Sequence, residues 1–282
     1  MKIINSGKIE GGQDGAIWND FLFRFDHKGL CFVYKLQENF APEEISSFTL
    51  DRADEIAPHS NSVMFGAEYF EEGDEFPLLY TNIYNNYSGT PDKLTGVCLV
   101  YRITRNETDF SSSLVQMIEI GFTDNSELWC SENKDDIRPY GNFVIDIKNK
   151  VYYGFTMRDK THTTRYFSFN LPKLHDGTRD EKYGINKVVL TESDIKDYFD
   201  CEYHNFVQGA CFHNGKIYSL EGFTDHPVNH PVLRIIDVAQ KKDTDYFKFS
   251  DFGLNIEPEM IDFMDDVCYY SDNHGNFYRI EF

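Results

Sequence analysis

The sequence is short of several things at once, and each shortage removes a class of function. Its six cysteines, Cys31, Cys98, Cys130, Cys201, Cys211 and Cys268, stand singly with no CxxC pair, which argues against a zinc or dithiol motif. Four of them lie inside apolar runs, "GLCFVY", "GVCLVY", "GACFH" and "DVCYY", where a reduced thiol behaves as a small hydrophobe. Buried free thiols in a cytoplasmic protein are therefore expected. No GxSxG, Walker-type or GxGxxG run occurs, so an acyl-transfer serine, a P-loop and a dinucleotide fingerprint lack support. No apolar stretch reaches the length of a membrane-crossing helix. The opening "MKIINSGKIEGGQDG" has no apolar signal segment, so a cytoplasmic location is expected unless a signal has been removed. Basic residues are scarce, 27 Lys and Arg against 47 Asp and Glu, for a formal charge of −20. Such a surface repels polyanions, which excludes duplex nucleic acid and anionic membranes as natural partners. It serves solubility first, and beyond that it suits a cationic or neutral sugar ligand.

Long 3.6-residue periodicity is missing too. Only "TESDIKDYFD", Thr191 to Asp200, looks helical, one short turn or helix with Thr191 as its cap and Asp194 three residues on. Aromatics are plentiful at 16%, chiefly Phe and Tyr, and these favour pleated, half-buried surfaces. Alternating segments bounded by turn residues recur along the whole chain. Five begin in the same way, with a polar cluster, a short apolar strand, a Gly, Asn or Asp turn, and a Tyr- or Phe-rich strand. They are "GGQDGAIWNDFLFRF", "APHSNSVMFG", "IRPYGNFVIDIKNKVYYGF", "HNFVQGACFHNGKIYSLEGF" and "IEPEMIDFMDDVCYYSDNHGNFYRIEF". Third strands follow, and "ISSFTL", "LVQMIEIGF", "NKVVLT" and "DYFKFS" are candidate fourth strands of the first four units.

Anchors at Gly15, Ser62, Asn142, Gly209 and Met260 are separated by 47, 80, 67 and 51 residues. The longest interval contains the polar loop "NNYSGTPDKL". Four-stranded repeats of this length are the signature of propeller blades. The last unit has only three strands, and the N-terminal "KIIN" supplies its fourth. The chain thus resembles a five-bladed β-propeller, one all-β domain over residues 1–282, closed by pairing of its N- and C-terminal strands; six blades are the alternative. The tail "SDNHGNFY", Ser271 to Tyr278, resembles the Asp-box turn of sialidase-like propellers, with Asn273, Phe277 and Tyr278 replacing Asp, Thr and Trp. In that family the box is a structural hairpin and carries no activity.

In such a fold the polar lead-ins converge around one mouth of the channel. Gln13, His59, Asn61, Arg138, Tyr140, Asn142, His204, Asn205 and Gln208 are then candidate ligand-binding residues, with Asp14, Glu257 and Glu259 as the carboxylates. A concave site with convergent polar groups is the default place for a small ligand. A carbohydrate fits this equipment, and a monomer is expected. Glycoside hydrolysis by Asp14 with Glu257 or Glu259 is the enzymatic alternative, because two carboxyls must flank the scissile bond. Furanosidase-like five-bladed enzymes carry three acids on successive blades; here the second blade offers His59 and Asn61 instead. No cofactor is fixed by a motif. Ca²⁺ on Asp14, Glu257 and Glu259 is the metal the residue types would accept, and His59 with His204 would suit a transition metal. A third reading is a protein-interaction platform using "YTNIYNNY" and "EGFTDHPV".

Overall fold

A computed structural model describes residues 1–84, 94–120, 143–158, 161–204 and 206–282. The chain opens with β1 (Lys2–Lys8), which stands apart from the strands that follow it. Blade 1 is β2 (Gly15–Trp18), β3 (Phe21–Phe25), β4 (Leu30–Leu36) and β5 (Pro42–Thr49). Blade 2 is β6 (Val63–Phe65), β7 (Leu79–Tyr84), β8 (Thr95–Asn106) and β9 (Asp109–Ile120). Blade 3 starts with β10 (Phe143–Asp146), β11 (Val151–Arg158) and β12 (Thr163–Asn170). Two strands of an excursion follow, β13 (Thr178–Arg179) and β14 (Asn186–Leu190), before β15 (Asp197–Glu202) completes the blade. Blade 4 is β16 (Val207–His213), β17 (Lys216–Glu221), β18 (Val232–Asp237) and β19 (Lys242–Lys248). Blade 5 is β20 (Pro258–Met264), β21 (Val267–Asp272) and β22 (Asn276–Glu281), with β1 as its outer strand.

This is the five-bladed propeller that the repeat implies. Pairing of Ile3 with Ile280 and Ile4 with Arg279 closes it, leaving no open sheet edge at the junction of the chain ends. The first strands of the blades meet side by side, β2 against β6 and β20, β10 against β6 and β16, and β16 against β20. Side chains and backbone stitch neighbouring blades there. The Val63 N–H donates to Asp14 Oδ2 at 2.9 Å, and the Ile17 N–H donates to Asp262 Oδ2 at 2.7 Å. Apolar side chains fill the spaces between blades. Phe21, Phe23, Phe65, Phe76 and Phe110 form one interlocked group, with Phe23 5.3 Å from both Phe65 and Phe76 in edge-to-face contact. Such pairs add about 0.5–1.5 kcal/mol each beyond their buried area.

One expectation is corrected and another narrowed. "NKVVLT" is not the fourth strand of blade 3; as β14 it runs parallel to β9 and extends blade 2 to six strands. Gln116 holds this excursion on blade 2 by donating through Nε2 to the Lys173 and Leu174 carbonyls at 2.7 and 3.2 Å. Of the short turn or helix expected over Thr191–Asp200, the turn forms, a single 3₁₀ turn over Glu192–Asp194, and "DYFDCE" then pairs with β12 as the fourth strand of blade 3. The Thr191–Asp194 capping box does form. It starts a turn, which gives way as soon as alternating residues can join an open sheet edge. The "NNYSGTPDKL" loop lies outside the described residues apart from Leu94.

The tail hairpin is held by Asp272 and not by Asn273. The Asp272 carboxylate accepts the backbone N–H groups of His274 and Asn276, each at 3.0 Å. Among the described residues the five cysteines are free and buried; Cys130 lies outside them. Among the described residues no helix is long and apolar enough to cross a membrane.

Gly209 marks where β16 and β20 approach most closely, since a Cβ there would lie 2.3 Å from the Glu259 carbonyl oxygen. Backbone would have to move to admit it. Gly209→Ala is expected to lower unfolding free energy by about 1–3 kcal/mol, read as a lower urea midpoint with an unchanged slope.

Candidate functional site

The lead-in to blade 1, "GGQDG", passes over Arg24, and this explains its glycines. Gly11, at φ +120°, leaves a Cβ position only 2.5 Å from Arg24 Cγ. Arg24 sits on β3 between phenylalanines and is fully buried. Its Nη2 donates to the Asp272 carbonyl at 3.2 Å, while Nε and Nη1 have no hydrogen-bond partner among the described residues. Asp14, Glu259 and Asp272 supply the opposing charge. Asp14 and Glu259 are themselves buried, and Asp14 Oδ1 and Glu259 Oε2 also lack a partner. Burial pushes both carboxyls up, against the pull of the guanidinium. These groups form a floor of ionisable side chains beneath the entrance mouth, buried from solvent.

Above the floor lies a more accessible rim. Glu257 is half-buried and bridges two neighbours: Gln208 Nε2 donates to its Oε1 at 2.6 Å, and Asn273 Nδ2 donates to its Oε2 at 3.0 Å. Burial raises its carboxyl, and the Asn273 hydrogen bond partly offsets this. Gln208 also donates to the Gly222 carbonyl at 3.2 Å. The Glu257 N–H is taken by Thr224 Oγ1 at 2.9 Å, which ties the blade 4 loop to blade 5. Gln13 turns its Nε2 to the Gly12 carbonyl at 3.0 Å and leaves Oε1 unpartnered.

The structure thus brings Gln13, Asp14, Gln208, Glu257 and Glu259 to one end of the axis, with the His59–Asn61 lead-in beside them through the Asp14 N–H donating to the Ser60 carbonyl at 3.0 Å, and places His204 apart. His204 is fully buried in the seam between blades 3 and 4, with Nδ1 2.9 Å from the Tyr166 hydroxyl and Nε2 3.2 Å from Asp243. It is a structural histidine, reached by neither mouth. His59 lies near His27, and burial pulls its pKa down to about 4, so it is neutral at pH 7. Asn61 accepts from Asn82 Nδ2 at 2.5 Å, and Asn82 Oδ1 in turn accepts the Ser62 N–H at 2.9 Å. Its amide shapes the blade 2 lead-in. Arg138, Tyr140, Asn142 and Asn205 lie outside the described residues. No group of three His, Cys, Asp or Glu side chains is spaced to hold a metal among the described residues.

Two residues at this end escaped the sequence reading. Arg24 is one, hidden in "FLFRF", where a charge inside an apolar strand was the available signal. Phe206 is the other. It is 41% exposed, holds φ +56°, and leans on Phe223 with ring centroids 4.3 Å apart. A bulky side chain with left-handed backbone is strained and gathers at ligand-contacting positions. An aromatic inside a polar lead-in, "HNFVQG", was its signal.

No family model matches the chain, and no curated protein matches it. Solved structures give loose likenesses. Apo AztD from Citrobacter koseri is 12% identical at TM-score 0.32, over 84% of this chain and 47% of that one. The hydrazine synthase of Kuenenia stuttgartiensis is 10% identical at TM-score 0.42, over 92% and 61%. The computationally designed Ika8 protein is 7% identical at TM-score 0.37, over 99% and 100%. The chain therefore spans about half and about three fifths of the first two, and none of the three carries an argument about its function.

Two predictions follow from the floor and rim. Asp14, Glu257, Glu259 and Asp262 all have carboxyls raised by burial, Asp262 to about 7. A raised folded-state pKa means the folded chain binds more protons, so stability falls as pH rises through that window. Melting temperature should decline from about pH 5 to about pH 8, as scanning fluorimetry across buffers will read; Asp200 and Asp243, held low, lose their contribution only in stronger acid. Arg24→Met leaves buried carboxylates without their counter-charge and should cost about 3–5 kcal/mol at neutral pH, with a smaller loss near pH 5. Denaturant titration at both pH values checks this.

Proposed function

We propose that the entrance mouth binds a small polar ligand of the carbohydrate class and does so without chemistry. The observation that carries this reading is the hydrogen-bonded file Gln208–Glu257–Asn273, with the exposed ring of Phe206 two residues before Gln208 in the same lead-in. A pyranose has an apolar C–H face and a rim of hydroxyls. Its face suits an exposed aromatic ring, and its vicinal hydroxyls suit planar amide and carboxylate groups that both donate and accept. The ligand would insert its hydroxyls into bonds these residues already make to each other, so the groups are oriented before binding.

Hydrolysis is the weaker reading. Cleavage needs two carboxyls reaching opposite sides of one bond. Glu257 is the reachable one, whereas Asp14 and Glu259 lie on the sealed floor against Arg24. A cytoplasmic location accords with the five cysteines among the described residues being free and buried.

The test is a glycan screen followed by calorimetry on the best hit. Phe206→Ala and Gln208→Ala should each weaken that hit by about tenfold, equivalent to about 1.4 kcal/mol, and should shift the melting temperature little. Loss of folding and binding in parallel would assign both residues to structure. Turnover of the hit by wild type that stops in Glu257→Gln would establish the hydrolase instead.

A further inference from the structure

The opposite end of the channel carries a second concavity, with a different chemistry. The β2–β3, β16–β17 and β20–β21 hairpins open around a cavity of about 550 Å³. Its walls include Trp18, Phe212 and Phe263, and its acids are Asp20, Asp262 and Asp265. Among the described residues no lysine or arginine lines it.

The aromatic walls are fixed by their neighbours. Trp18 leans on Phe65 at 5.8 Å, and Phe212 is stacked on Tyr153 at 5.6 Å and 7°. Phe263 is covered on one face by His213, 3.9 Å away and parallel within 2°. Asp262 is held toward β2 and its own backbone, its two oxygens accepting the N–H groups of Ile17 and Phe263 at 2.7 and 2.8 Å. Each oxygen keeps a further lone pair for a ligand. Asp20 is already matched by Lys35 at 2.5 Å, and His213 lies 3.3 Å from Asp266. Asp262 and Asp265 are therefore the acids in this wall without a cationic partner among the described residues. Asp265 supports the field from an exposed turn at φ +53°.

We propose that this far mouth binds a small organic cation, an alkylammonium or quaternary ammonium held over Trp18 and paired with Asp262. An ammonium over an indole face gains attraction that grows as water is excluded. An acidic, low-dielectric funnel on a chain of charge −20 concentrates cations at its opening. A neutral sugar would leave the carboxylates unanswered, and an anion would be repelled. The inference does not depend on the carbohydrate reading, because the two mouths share none of the residues invoked.

The experiment uses the whole chain with choline as probe and 3,3-dimethylbutan-1-ol as its neutral isostere, by calorimetry and Trp fluorescence at low ionic strength. Choline should bind about tenfold or more tighter than the isostere, as an ammonium over a desolvated indole requires. Trp18→Leu and Asp262→Asn should each lower choline affinity by about tenfold, while Gln208→Ala leaves it unchanged. Should Asp262→Asn fail to fold, the partly exposed Trp18→Leu variant still decides. Equal binding of choline and isostere, no choline binding, or choline binding indifferent to Trp18→Leu would overturn the proposal. Calcium binding without choline binding would overturn it as well.

Discussion

Arg24 is the interaction on which this propeller turns. A guanidinium with no access to water stands between the first blade and the last, facing Asp14, Glu259 and Asp272. Taking such a group out of water costs several kcal/mol, and the attraction of its counter-charges offsets that only when geometry is good and the hydrogen bonds are met. Here one bond to the Asp272 carbonyl is made and two guanidinium nitrogens have no hydrogen-bond partner among the described residues. Apolar residues replacing Arg24 and its acids together would fill the space at lower cost, whereas removing Arg24 alone strands the acids. What Arg24 adds is specificity: it requires acids on blades 1 and 5 to face one point, and so fixes how the first and last blades meet. The strand pairing of β1 with β22 closes the ring in backbone, and Arg24 sets its electrostatics.

The floor divides the axis into two unlike ends. Lead-ins reach the entrance mouth carrying amides, a carboxylate and an exposed phenylalanine. Hairpins leave at the far mouth carrying indole, phenyl and carboxylate groups. The difference follows from strand chemistry. A lead-in before a first strand must satisfy unpaired backbone groups, so it gathers side chains that both donate and accept. A two-residue hairpin makes its own backbone bonds and needs left-handed residues at its tip, as Asn214 at φ +49° and Asp265 at φ +53° show. Its flanking strand ends are then free to present aromatic faces. One fold thus yields an amide-rich polar mouth and an acidic aromatic one.

Much of this was legible in the residues. Alternation gave the strands, the recurring polar lead-in gave five units, and the missing fourth strand of the last unit gave the closure. The failures have one cause. Alternation says that a segment is a strand and not which strand it joins. "NKVVLT" carries the right pattern, yet Gln116 on blade 2 captures the preceding turn through three carbonyls and draws β14 to β9. Blade 3 then takes the next alternating segment, "DYFDCE", which had looked like the end of a helix. At the site, sequence order located the lead-ins and could not tell rim from floor. Depth along the axis depends on whether a side chain points up or down from a strand end, and a one-residue offset reverses it. Glu257 and Glu259, two apart, nonetheless differ, because a register shift interrupts the start of β20 between Pro258 and Met260.

That irregularity bears on what the protein does. A regular strand would place Glu257 and Glu259 on one face, giving two acids of similar exposure and the beginnings of a hydrolytic pair. The shift at the start of β20 is matched by one at the start of β16, between Val207 and Gly209, where the absence of a Cβ on Gly209 leaves room for the Glu259 carbonyl. The two irregularities lie side by side, and between them Glu259 is sealed with Arg24 while Glu257 is turned to Gln208 and Asn273. Bulges commonly re-aim side chains beside functional sites. Here they separate two carboxylates by environment, one buried with Arg24 and one half-buried at the mouth between Gln208 and Asn273.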